Sequence, residues 1–272
     1  MNSSERRVTV PRLIAMKAAG RKISMLTAYD YPTARLVDSA GIEAILVGDS
    51  LAMVVQGHAN TLPVTLDQMI YHAEMVGRAA RHALVIVDMP FPTFHLGEQK
   101  AVECAARIIK ETHCQAVKLE GGVEQAGVIA ALVGAGIPVM AHCGLRPQSV
   151  HQFGDFALQR DRDRLLADAQ AAEQAGAFAM VLECIAAEIA AEITRTVQIP
   201  TIGIGAGPGC DGQVLVIHDL LGLTAERLPR HVKLFADLKT HIAQAVVAYR
   251  DEVRNGTFPG PEQTAGGDTV RG

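Results

Sequence analysis

ALVIVD, residues 83–88, is five apolar residues followed by an aspartate. A short apolar run rich in β-branched residues reads as a strand buried on both faces, as in an all-parallel sheet. Its last residue then stands where the chain leaves the core. Four further runs share the pattern: AILVGD ends on Asp49, QAVKLE on Glu120, IPVMAH on His142 and AFAMVLE on Glu183. If these strands run parallel, their endings gather at one edge of the sheet and can surround one substrate. Carboxylates crowded together repel one another unless a cation sits among them, which points to metal chemistry.

Three more runs complete a set of eight: ISMLTA (23–28), PTIGIG (200–205) and QVLVIH (213–218). Stretches of helical period lie between most of them. Thr65 to Gln68 is a capping box ahead of Met69, Ile70, Ala73 and Val76. Val102, Ala105, Ala106 and Ile109 form a second apolar face, and Leu165, Leu166, Ala169 and Ala172 a third. AGI at 40–42, AGI at 135–137 and AGA at 175–177 place a glycine where a helix C-terminus needs a left-handed residue. This recurrence predicts a succession of βα units and a closed (β/α)8 TIM barrel in the α/β class. An open doubly wound sheet is the competing fold, because the gap between PTIGIG and QVLVIH is too short for a full helix. Thr9, Val10 and Pro11 make a helix start, predicting an additional N-terminal helix over the barrel's lower end. No Gly/Pro-rich linker divides the 272 residues, so one catalytic domain spans 1–272, with mobile tails expected at about 1–8 and 255–272.

The composition excludes several roles. Hydrophobic residues make up 49% and aromatics 4%, with no Trp, so the core is aliphatic. A net charge of −4 with both signs interspersed leaves no basic stripe for nucleic acid and no polybasic membrane patch. No run approaches the roughly 20 apolar residues of a membrane span, and the N-terminus lacks the apolar core of a signal peptide. The five cysteines, Cys104, Cys114, Cys143, Cys184 and Cys210, are scattered and never in CxxC spacing, which fits reduced thiols in a cytoplasmic protein. Cys143 and Cys184, next to His142 and Glu183, read as packing residues beside a cleft.

Oxygen ligands suit hard cations, and Mg2+ usually takes one or two protein carboxylates and fills its shell with water and substrate. Asp49 and Asp88, on adjacent strands, are the natural pair, with Glu120 on the next. A lone strand-end Asp is more often a helix cap or turn residue; three in succession reverse that. Zinc would favour closely spaced His or Cys, and the ten histidines show no HxxxH. Glu183 follows an apolar run, where desolvation would make it a better base toward a carbon acid. Lys118, two residues before Glu120, shares its inward face and could bind a substrate carboxylate or pair with Glu120 itself. His142 could orient or polarise a carbonyl, or serve as a structural hydrogen-bonder. IGIGAGPG (202–209) has GxGxxG spacing but follows the seventh strand, so it reads as a tight loop and not as a dinucleotide site.

At these residues the chain resembles the ketopantoate hydroxymethyltransferase family, from about Thr9 to the 250s. The matching blocks include MLTAYDYPTA (25–34), ILVGDSLAMVV (45–55), TLPVTLDQMIYH (61–72), ALVIVDMPF (83–91), AVKLEGG (116–122), AHCGLRPQSVHQFG (141–154), LECI (182–185) and IPTIGIGAGPGCDGQVLV (199–216). The resemblance implies a barrel, Mg2+, a homodecamer, and transfer of a one-carbon unit from 5,10-methylenetetrahydrofolate to 3-methyl-2-oxobutanoate, the first committed step of pantothenate synthesis. Carried across, Asp49 and Asp88 would be the metal ligands, Glu120 would stand in the metal shell, Ser50 and Lys118 would hold the oxoacid, and Glu183 would be the base. Asp49, Asp88 and His142 would also face the substrate. The chain departs from the family's pattern at Ala52, Ala141, Ala186 and FPTFH (91–95), none of which removes a proposed catalytic group. The competing class is a Mg2+-dependent lyase or mutase of the phosphoenolpyruvate mutase/isocitrate lyase type, which usually carries a KKCGH-like loop that this chain lacks. A barrel retained only as an assembly or regulatory subunit would be expected to lose strand-end carboxylates first, and all are present.

Overall fold

The computed structural model describes residues 7–153, 157–224 and 228–265. Each apolar run contributes a strand: β1 Ile23–Thr27, β2 Ala44–Val47, β3 Leu84–Asp88, β4 Ala116–Glu120, β5 Val139–Gly144, β6 Ala179–Glu183, β7 Thr201–Ile204 and β8 Gly212–Leu215, although Ile217 and His218 of the eighth run leave the strand and begin a helix. Every residue of β2, β3 and β4 is buried, as expected of strands covered on both faces. The strands are parallel in the order β1 to β8, and β1 pairs with β8. That pairing closes the barrel and eliminates the open sheet. Register matches Asp88 with Lys118, Glu120 with His142, and Gly144 with Glu183, so the polar strand endings become lateral neighbours at one rim.

The helices, in chain order, are α1 Val10–Ala18, α2 Tyr31–Ser39, α3 Leu51–Val54, α4 Leu66–Ala79, α5 Glu98–Glu111, α6 Ala126–Gly134, α7 Val150–Phe153, α8 Arg162–Gln174, α9 Ala187–Thr196, α10 Ile217–Leu220 and α11 Leu238–Arg254. Thr65 and Gln68 form the expected capping box at α4. Gly41, Gly136 and Gly176 have φ of 83°, 81° and 96°, the conformation that the helix-to-strand hand-over requires. The deepest face of α5 is Ala101, Cys104, Ala105 and Ile108, one position away from the apolar stripe expected from the sequence. Val102, Ala106 and Ile109 are only half-buried. Three of these four inner side chains are small, which lets the helix approach closely around Ile108, while Val102 and Ile109 sit at its flanks.

The additional helix α1 lies at the lower end. Val8, Leu13 and Met16 join one apolar cluster with Met25, Leu46, Ile86, Met140, Val181 and Ile202 from inside the barrel. Lys17 of α1 also reaches Asp211 at 2.9 Å and donates to the Ile199 carbonyl at 3.0 Å. Asp211 in turn accepts from the Thr201 amide at 2.9 Å. These contacts pin the helix-free loop between β7 and β8, so the gap that favoured an open sheet is bridged by a clamp from the N-terminal helix.

By internal contacts the chain forms two compact units, Met1–Ile217 and His218–Gly272. The first contains the whole barrel. In the second, α11 buries none of its residues and exposes Ile242, Val246, Val247, Tyr249 and Val253. Of the expected mobile tails, residues 1–6 and 266–272 lie outside the described residues, and Pro261–Gln263 forms a 3₁₀ turn. Among the described residues no helix is long and apolar enough to cross a membrane.

Candidate active site

The expected residues converge at the C-terminal rim of the barrel. Asp49 follows β2, Asp88 ends β3, Lys118 and Glu120 lie on β4, His142 on β5, and Glu183 ends β6. Lys118 Nζ stands 2.7 Å from Asp88 Oδ1 and 3.2 Å from His142 Nδ1. The other face of the imidazole, Nε2, lies 3.3 Å from Glu183 Oε2. His142 Nδ1 is 3.9 Å from Glu120 Oε1. The Asp49 amide donates to Asp88 Oδ2 at 3.1 Å, which joins the ends of β2 and β3. Gly48 is needed there: a Cβ would lie 2.8 Å from Ser50 Oγ and 3.5 Å from Asp88 Oδ2. Ser50 stands at the N-cap of α3, yet its hydroxyl makes no cap bond and instead meets Tyr29 Oη at 2.8 Å.

Asp49, Asp88, Lys118, Glu120 and His142 are each at most 5% exposed. Glu183 departs from the expected burial, with a side chain 19% exposed. It is the last residue of β6, and the next residue, Cys184, turns the chain outward with a φ of 48°, unusual for a residue with a side chain. Lys118 forms its ion pair with Asp88 and not with Glu120, the partner expected from the sequence, because register sets Asp88 and Lys118 side by side across β3 and β4.

Burial, and then the neighbouring Asp88, push the Asp49 carboxyl up to about 7. Burial, followed by the charge of Asp49, holds Glu120 well above the usual carboxylate range. Burial alone would lower the Lys118 ammonium, but Asp88, Glu120 and Asp49 outweigh it and hold it firmly protonated. His142 is pushed down by burial and by Lys118, so its imidazole is neutral near pH 7. Accepting at Nδ1 from the lysine leaves Nε2 as the protonated nitrogen facing Glu183. Burial raises the thiols of Cys143 and Cys184, the latter to about 11, so neither is a thiolate nucleophile at neutral pH. All five cysteines are free.

The donor set is one of oxygens, with four carboxylates around one ammonium and a neutral imidazole. Asp49 and Glu120 resist ionisation first because they are buried and then because the surrounding carboxylates outnumber the one ammonium, and a hard divalent cation would offset both. Among the described residues no three His, Cys, Asp or Glu side chains form a ready cage for an ion. The oxygen donor set fits a hard cation held by one or two of these carboxylates, with positions left for water and substrate.

Two residues of the site escaped the sequence reading. Tyr29, 1% exposed, stands just past the end of β1 and obeys the same strand-end rule that picked out the carboxylates. Gln148, 6% exposed, comes from the 3₁₀ turn after β5, and no spacing signalled it.

The family model described as ketopantoate hydroxymethyltransferase matches residues 7–261. The chain belongs to the ketopantoate hydroxymethyltransferase family. A 3-methyl-2-oxobutanoate hydroxymethyltransferase of Rhodopirellula baltica is 58% identical over 262 residues, covering 95% of this chain and 97% of the relative. The chain is thus a ketopantoate hydroxymethyltransferase by family and a transferase by class. In fold it is similar to a 2,3-dimethylmalate lyase of the PEP mutase/isocitrate lyase superfamily, with TM-score 0.61, 21% identity, and 94% and 88% of the two chains covered. A phosphonopyruvate hydrolase solved with oxalate and Mg++ gives TM-score 0.60 at 13% identity, covering 91% and 87%. At such identities the likeness is one of barrel architecture.

Proposed function

We propose that this enzyme transfers a hydroxymethyl group to 3-methyl-2-oxobutanoate, giving 2-dehydropantoate, with 5,10-methylenetetrahydrofolate as the carbon donor and Mg2+ at Asp49 and Asp88, beside Glu120. The observation that carries the reading is the convergence of these carboxylates with Glu183 around Lys118 and His142, in a chain of this family. The Mg++ and oxalate of the phosphonopyruvate hydrolase belong to that protein; what supports Mg2+ here is the oxygen donor set and its surplus negative charge.

The Lys118 ammonium, with the hydroxyls of Ser50 and Tyr29 nearby, would hold the substrate carboxylate and orient the small acid. Glu183, the most open of the carboxylates, would take the proton from C3, and the neutral His142 beside it would stabilise the base by hydrogen bonding. A bound divalent cation would supply Lewis-acid stabilisation of the charge that develops on the keto oxygen. The electron pair released at C3 forms the new bond to the folate methylene carbon, whose two bonds to folate nitrogens break, and those nitrogens take up the proton removed from C3 and one proton of the water. Water supplies the hydroxyl of the product, and tetrahydrofolate leaves. The apolar side chains left exposed on α11 support self-association, and we extend the proposal to the homodecamer implied by the family. Five unpaired cysteines support a cytoplasmic location.

The fold likeness keeps a lyase or mutase as the second reading. Incubation with Mg2+ and 3-methyl-2-oxobutanoate in deuterated water is expected to exchange the C3 proton, and absence of exchange would overturn the enolising mechanism. Tetrahydrofolate release on addition of the folate separates transfer from carbon-carbon cleavage.

A further inference from the structure

Gln148 lies between the β5 loop and the carboxylates without being one of them. Its backbone amide donates to Glu120 Oε2 at 3.0 Å. Its side-chain Nε2 donates twice, to Asp49 Oδ2 at 2.9 Å and to the Met89 carbonyl at 3.0 Å. Both hydrogens of the amide nitrogen are therefore engaged. Its Oε1 is buried and has no hydrogen-bond partner. The opposite amide orientation would aim an acceptor at two acceptors, so the two contacts determine which end faces Asp49.

We propose that Gln148 is a positioning residue for the divalent cation: it fixes the direction of the Asp49 carboxylate while its backbone fixes that of Glu120. One residue thereby ties the ends of β2, β3 and β4 to the loop after β5. Two observations favour this over simple loop packing. A packing residue at this depth would be apolar, since an amide oxygen left without a donor costs stability that a methionine of similar shape would not. Both side-chain hydrogen bonds also go to the site and to the residue after Asp88, and neither goes to the loop that carries Gln148. The buried Oε1 would be available to accept from a water brought in with the ion. Groups that orient a metal's ligands typically carry 10- to 100-fold in affinity, roughly the effect expected here.

This proposal rests on the reading of Asp49 as a cation ligand, and the test separates the two. Mg2+ is titrated calorimetrically into the metal-free parent and into Gln148→Met at a pH where Asp49 is ionised. The variant keeps volume and the backbone amide but lacks both side-chain donors. The expected result is a Kd raised by about 10- to 100-fold, with turnover largely recovered at saturating Mg2+. A parent that binds Mg2+ and a folded variant whose Kd stays within about two-fold would overturn the positioning role. A parent that binds no Mg2+ would overturn the cation reading and this one with it. Should Gln148→Met not fold, hydrogen exchange of the parent decides: Mg2+ is expected to slow exchange at residues 145–149, and unchanged exchange there would count the proposal out.

Discussion

Lys118 of β4 and Asp88 of β3 are register partners, and their charged atoms meet at 2.7 Å with side chains only 5% and 4% exposed. A buried ion pair contributes little net stability over an apolar pair, but breaking one half of it is costly. The pair is thus better explained by what it holds ready, an ammonium that a substrate carboxylate can share and a carboxylate whose second oxygen already anchors the Asp49 amide.

Lys118→Met is accordingly expected to destabilise the metal-free protein by about 3–5 kcal/mol, because Asp88 loses its counter-charge beside Asp49 and Glu120. Adding Asp88→Asn should restore much of the stability but no turnover. Urea denaturation of the single and double variants checks this; an additive double variant would show that the two side chains do not act as a pair.

Glu183→Gln keeps the side chain's shape and removes its basicity. Turnover should fall by about 10²- to 10⁴-fold, and C3 proton exchange should fall in parallel, while Mg2+ affinity and melting temperature stay near those of the parent. Retention of exchange would move the base to another group.

The raised carboxylates predict an unusual pH dependence for the metal-free protein. A carboxylic acid whose pKa is higher folded than unfolded stabilises the fold only while it is protonated. For Asp49 that contribution is complete below an unfolded value of about 3.9 and is lost as pH climbs through about 7. Glu120 acts in the same direction. The melting temperature of metal-free protein should therefore fall between about pH 4 and about pH 7, and Mg2+ should restore it at the upper end with release of protons. A flat or rising profile without metal would contradict the burial and crowding of these two groups.

Cys184 matters through its backbone. At a φ of 48° a glycine is unstrained, whereas a β-branched residue is not. Cys184→Gly should retain turnover, since the thiol is protonated, and Cys184→Val should lose about 1–3 kcal/mol together with turnover, because it disturbs the turn that aims Glu183. Chemical denaturation and steady-state kinetics on the two variants distinguish a backbone role from a chemical one, under which both would be inactive.

Much of the barrel was legible in the chain. Each of the eight apolar runs became a strand because complete burial on both faces leaves little freedom in composition, and the glycines of 40–42, 135–137 and 175–177 met a backbone requirement few other residues satisfy. The strand-end carboxylates were legible for the same reason, since an ionisable side chain is most easily accommodated where a buried strand leaves the core. Closure was not legible at the seventh and eighth strands, because the clamp replacing the missing helix comes from Lys17, far away in sequence. The Gln148 link to Asp49 spans 99 positions and follows no period, so only the folded chain reveals it.

By itself the sequence determined the parallel βα architecture, the N-terminal helix, the family, and which ionisable groups would line one rim. Those are consequences of local pattern and of the cost of burying charge. The tertiary structure decided which of those groups touch: that Lys118 answers Asp88, that His142 stands neutral between Lys118 and Glu183, and that Gln148 aims Asp49. Such pairings follow from register and barrel closure, which arise from the whole set of strands packing together and are encoded in no single one of them.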